Sequence, residues 1–199
     1  MSEWWTYSFS DFLLFSPRTY HRLFELYNTA LWPMHLAALL LGMALLVAAW
    51  RGWARAGRAM LAACWLWVAW AFLWQRYATI NWAAPWFAIA FAIEGVLLLL
   101  ASVFASAPDA DAPDRGRRLA GLGLLLLALF VLPSLGVLQG RPWVQAEVFG
   151  MAPDPTAAGT LGALLLLPAH RGWKWLLWPV PLFWCALGMA TAWTMHANG

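Results

Sequence analysis

The run "FAIAFAIEGVLLLL", residues 87–100, holds one ionisable side chain, Glu94, among thirteen residues with none. Read outward, the apolar stretch extends from about 85 to 106, enough helix to cross a hydrocarbon core about 30 Å thick. The whole chain shares this character. Of its 199 residues, 63% are hydrophobic and 11% charged, against roughly 25% charged in a soluble domain. Mean hydropathy is +0.65. These values exclude an ordinary soluble domain and indicate a multi-pass membrane protein.

Six spans are expected, near 31–50, 59–74, 85–106, 119–138, 156–169 and 175–195, the second and fifth being short. Helices are the expected form, because in lipid a helix satisfies its backbone groups within one segment. Eight of the twelve basic residues (Arg51, Arg55, Arg58, Arg115, Arg117, Arg118, Arg171 and Lys174) fall in alternate loops. The other side keeps Arg18, Arg22, Arg76 and Arg141. The positive-inside rule then places both termini outside the cytoplasm. Topology accounts for the net charge of +3, and no nucleic-acid-binding motif accompanies it. The first 29 residues carry Glu3, Asp11, Arg18, Arg22 and Glu25 and have no n-region and h-region, so insertion through internal spans is expected rather than a cleaved signal peptide.

Ser16–Pro17 is a helix start, an N-cap followed by proline at the first helical position. Beyond it Tyr20, Leu23, Phe24 and Tyr27 recur at spacings of three and four. That pattern predicts an amphipathic helix lying in the outer interface or, alternatively, forming a lid over an outward cavity. Residues 1–30 are therefore an interfacial segment and 31–196 a six-helix transmembrane domain. Seventeen tryptophans make the chain tryptophan-rich. Trp32, Trp82, Trp86, Trp143, Trp50, Trp53, Trp173 and Trp175 fall at span ends, where indole rings favour the headgroup boundary. Trp67, Trp70 and Trp74 share a helix face. They offer either a packing surface or a stacking face for a planar cofactor.

Glu94 is the leading candidate for chemistry. At about 1.5 Å per residue it lies about 13 Å into its span, where an acidic side chain costs on the order of 2.5–3 kcal/mol to insert. A membrane hydrogen bond returns about 0.6 kcal/mol on average and does not offset that cost. Glu94 is thus expected to take part in a proton, ion or polar network, the alternative being a neutral carboxyl joining two helices. His35, near the outer end of the first span, is a second candidate, with a plain interfacial histidine as the alternative. Arg76, Arg141, Glu147 and Asp154 fall on one predicted side and are expected either to form an outer vestibule or to belong to a rigid connector. The cluster Asp109–Asp111–Asp114 lacks the glycine and terminal glutamate of a calcium loop and reads as a solvated linker. Cys64 and Cys185 have neither C-x-x-C nor Cys/His spacing. With four histidines, haem is not expected; a His35–His196 pair is geometrically conceivable, but no spacing motif supports it. No nucleophile, phosphate-loop or metal motif appears.

Two segments carry a resemblance. "WWTYSFSDFLLFSPRTYHRLFELYN" (4–28) and "VFGMAPDPTAAGTLGALLLL" (148–167) resemble signature segments of an uncharacterised family of bacterial multi-pass membrane proteins. In the second, Phe149, Gly150, Pro153, Pro155, Thr156, Thr160 and Gly162 match. Where that family often has cysteine between the prolines, this chain has Asp154. The resemblance implies an integral protein of the bacterial inner membrane and supplies no activity.

The sequence therefore predicts an all-α polytopic bundle of about six transmembrane helices. Its function reads as an accessory or structural subunit of a larger membrane complex. A small proton- or cation-coupled transporter or channel using Glu94 is the alternative, and a membrane enzyme the least supported class. The expected partners are the lipid bilayer and either other membrane subunits or further copies of the chain, without nucleic acid. No cofactor is indicated.

Overall fold

A computed structural model describes residues 17–105 and 113–197, residues 17 and 194–197 as backbone alone. Every regular element among them is helical. The expected N-cap at Ser16, and Asp109 and Asp111 of the acidic linker, lie outside the described residues, as does the His196 side chain.

Helix α1 (Pro17–Ala30) turns Leu23, Phe24 and Tyr27 inward, the stripe expected from their spacing. These side chains meet protein: Phe24 stacks on Phe72 at 4.7 Å and Tyr27 meets Phe72 edge-on at 5.3 Å. Helix α2 (Met34–Arg51) ends at Gly52, whose φ of 71° reverses the chain at the conformational cost only glycine avoids. Helix α3 (Ala54–Trp67) continues as a π-helix over Val68–Trp74 and a 3₁₀ turn over Tyr77–Thr79. The second span, expected to be short, thereby reaches 26 residues, Ala54–Thr79.

Helix α4 (Ala84–Phe104) carries the opening glutamate. Helix α5 (Arg115–Leu126) starts at Asp114, which caps it by accepting from Arg117 N at 2.8 Å. It then widens to a π turn at Leu127–Val131 before α6 (Leu132–Leu138). Pro133 explains the widening, since it lacks an N–H and its ring crowds the carbonyl four residues back.

Among the described residues, five helical stretches are long and apolar enough to cross a membrane: 34–51, 54–79, 84–104, 115–138 and 171–193. The last comprises α8 (Arg171–Leu177) and α9 (Pro179–Ala197). The fifth expected span, 156–169, is instead the short helix α7 (Pro153–Leu166). Its 14 residues make about 21 Å of helix, and nearly all its side chains are buried in protein. It packs against α5 through glycine. A Cβ on Gly162 would lie 2.7 Å from the Gly121 carbonyl oxygen and 2.9 Å from Leu125 N, so the two backbones touch, as small residues permit between apolar helices.

Arginines at one end fix where α4 and α7 stop. Arg58, 1% exposed, donates to the carbonyls of Ala105 (3.0 Å) and Pro168 (2.8 Å). Arg117 reaches the Leu165 carbonyl at 3.3 Å. A cation at two helix C-termini suits the negative ends of their dipoles and occupies carbonyls left without an intrahelical donor. This basic end also holds Arg51, Arg55, Arg115 and Arg118; the other end holds α1 and the connection 139–152.

Candidate functional site

The connection between α6 and α7 enters the bundle rather than crossing its surface. Phe149, Gly150, Met151 and Ala152 are all buried. Gly150 has φ of 78°, and a Cβ there would stand 3.1 Å from Cys64 Sγ, in the last turn of α3. Thr156 closes the turn: its hydroxyl accepts from Gly150 N at 2.9 Å and donates to the Ala152 carbonyl at 2.7 Å. Thr160 repeats the device one turn on, donating to the Thr156 carbonyl and accepting from Trp65 Nε1, both at 2.8 Å. Phe149 fills the space over Gly42 and Gly159. Each matched position of the second signature segment except the two prolines thus has a packing or hydrogen-bonding task in this re-entry.

α1 holds the loop from above. Asn28 Nδ2 donates to the Val144 and Ala146 carbonyls at 2.8 and 2.9 Å, and Tyr27 OH donates to the Met151 carbonyl at 3.2 Å while accepting from Trp67 Nε1. Gln145 donates to Glu25 at 3.2 Å.

Asp154 stands in the first turn of α7, where the helix dipole favours an anion. It accepts from Trp184 Nε1 at 2.7 Å, and Gly188 of α9 leaves it room: a Cβ there would lie 3.2 Å from Asp154 Oδ1. Glu147 is close enough for the two carboxylates to repel. Although part of its surface stays accessible, it lies among enough protein that burial, then Asp154, push its carboxyl up to about 8, against the pull of Arg141. Tyr20 shares this field; burial first, then Glu147 and Asp154, hold its hydroxyl well above the usual phenol range. His21 is held below its ordinary value by burial and by Arg141. Tyr77 meets Tyr20 edge-on at 6.1 Å. The Arg141 guanidinium lies over Gly136, which has no side chain to displace it.

Glu94 sits apart from this cluster. It is the middle residue of α4 and 0% exposed, and neither carboxyl oxygen has a hydrogen-bond partner. Beside it Gly95 lets α4 press on α3, its Cβ position lying 3.2 Å from Leu66 N. One turn along α4 Phe91 packs against Trp65 at 4.2 Å and edge-on against Trp184 at 4.9 Å; Phe87 meets the same indole at 5.2 Å. An aromatic layer of Phe87, Phe91 and Trp184 thus occupies the turns between the Asp154 level and Glu94.

Of the residues singled out in the sequence, Arg141, Glu147 and Asp154 come together. Arg76 falls instead within electrostatic reach of Tyr27. His35 stacks on Trp32 at 6.0 Å and neither ring nitrogen has a hydrogen-bond partner. Trp67 turns toward Tyr27, while Trp70 and Trp74 are exposed. Tyr20, Tyr77 and Trp184 joined the cluster unannounced. Tyr20 read as one member of an apolar stripe, and neither Tyr77 nor Trp184 carried a signal of its own in the sequence. Among the described residues no group of three metal-ligating side chains occurs.

No curated protein and no solved structure matches the chain. A family model does, over residues 18–198. The chain therefore belongs to the family of unknown function DUF6064.

Proposed function

We propose that this protein is a small proton- or cation-coupled transporter of the bacterial inner membrane, with six crossings and the α1 end outside. Glu147 and Asp154 form its outer acidic station and Glu94 its inner one. Helix α7, packed against α2, α3, α5 and α9, makes the sixth crossing, and α1 lies over the vestibule at the interface. The observation that carries this reading is Glu94: a carboxyl at mid-helix, wholly buried and without a hydrogen-bond partner. An unpaired carboxylate there is costly, so the group holds a proton or gains a cation, and its charge changes with access.

The outer pair supports the same chemistry. Two neighbouring carboxyls cannot both ionise freely, and burial with the Asp154 charge pushes the Glu147 carboxyl up to about 8. Phe87, Phe91 and Trp184 act as the partition between the stations; movement of the indole away from Phe91 would join them. The subunit reading draws on the outward faces of α2 and α9, which lipid covers equally well, and the buried carboxyls favour transport.

The test is proton flux into proteoliposomes of the full chain under an imposed pH gradient, read with an entrapped pH dye. Flux above protein-free vesicles, lost in Glu94→Gln and Asp154→Asn while circular dichroism is unchanged, is expected. Wild-type flux equal to that of empty vesicles, or undiminished flux in Glu94→Gln, sinks the proposal.

A further inference from the structure

At the basic end α2 and α5 stand apart. They are closed at Gly42, where a Cβ would run into Leu129. Two turns further toward the basic end they leave an open groove of about 460 Å³, walled by Leu46, Val47, Trp50 and Arg51 of α2 and Leu122 and Leu126 of α5. Its floor is aliphatic and its mouth is cationic. The Arg118 guanidinium lies over the Trp50 ring, 4.8 Å from its centroid, and Arg51 lines the other side of the mouth. Neither arginine meets a carboxylate among the described residues, where the one ion pair is Arg22–Glu25.

We infer that this groove is a binding site for one anionic phospholipid. The phosphate sits between Arg51 and Arg118, and an acyl chain runs along Leu46, Val47, Leu122 and Leu126. Three properties select that occupant over a partner helix or a free anion. An apolar slot continuous with a cationic rim matches the two chemistries of one lipid molecule. Guanidinium presents paired donors to phosphate oxygens, and stacking on Trp50 holds that of Arg118 in place before any ligand arrives. Basic clefts between helices at this level attract anionic headgroups. The site is independent of the transport reading, lying at the opposite end from Glu147 and Asp154.

The experiment is native mass spectrometry of the delipidated full chain, titrated with dioleoylphosphatidylglycerol or with dioleoylphosphatidylcholine of identical chains. The first phosphatidylglycerol is expected to bind at least tenfold tighter than phosphatidylcholine. Arg51→Ala and Arg118→Ala each weaken it about fivefold, and an Arg171→Ala/Lys174→Ala control leaves it unchanged. Val47→Trp, which fills the groove and keeps both charges, also weakens it and tests the site without touching an arginine. Equal affinity for the two lipids, an equal loss in the control, or full affinity in Val47→Trp would overturn the inference. So would complete displacement by inorganic phosphate alone, which would mark a bare anion site.

Discussion

The Trp184 indole donates to Asp154 Oδ1 at 2.7 Å, joining the start of α7 to α9 across 30 residues of chain. The same ring closes edge-on over Phe91, so one side chain orients the acidic pair and walls it from Glu94. Trp184→Phe keeps an aromatic ring and removes the donor. It should lower stability by about 0.6–1.7 kcal/mol, the range for polar contacts in a membrane bundle. A double-mutant cycle with Asp154→Ala, which removes the acceptor, read from unfolding in mixed detergent, should recover that coupling; strictly additive losses would contradict it.

Glu147 sets a pH dependence of definite sign. Its folded-state value, about 8, lies above the ordinary 4.5, so the folded state binds the proton more tightly than the unfolded one. The stability this contributes is complete below about 4.5 and is lost as pH rises to about 8. The unfolding temperature should therefore fall between those limits, and Glu147→Gln should flatten the curve over that window. A wild-type curve rising with pH there would contradict the assignment.

Gly162 and Gly123 make a matched pair. A Cβ on Gly162 meets the backbone of α5, whereas one on Gly123 has no atom within 4 Å. Gly162→Ala should cost about 1–3 kcal/mol, as overpacking does. Gly123→Ala should be neutral or slightly stabilising through helix propensity. Thermal unfolding of both variants in one detergent is the measurement.

Arg58 serves two carbonyls at once. Arg58→Gln should destabilise by about 1–3 kcal/mol for each carbonyl left unpaired, and Arg58→Lys should recover only part, since an ammonium lacks the guanidinium's span. Hydrogen exchange should accelerate first in the last turns of α4 and α7. Unchanged exchange there would remove Arg58 from this role.

Much was legible without coordinates. The apolar runs set the helices, and the spacing of Leu23, Phe24 and Tyr27 gave the inward stripe of α1, because these are periodic, local signals. The isolation of Glu94 in "FAIAFAIEGVLLLL" is likewise a property of its own segment. The proximity of Arg141, Glu147 and Asp154 was half-legible, since a shared loop suggests a shared end.

What the sequence by itself determined is the all-helical, membrane-scale character of the chain, its basic and less basic ends, and the residues whose charge needs explaining. Only the tertiary structure decided the rest. The fifth apolar run became a short buried helix because Gly121 and Gly162 let two backbones touch, and Arg58 and Arg117 occupied the carbonyls at its end. Glu147 and Asp154 acquired Tyr20 and Trp184 as neighbours because Gly150 and Thr156 turn the loop into the bundle. Local periodicity records which face of a helix is apolar, whereas such contacts depend on close approach between distant segments, which no single segment encodes.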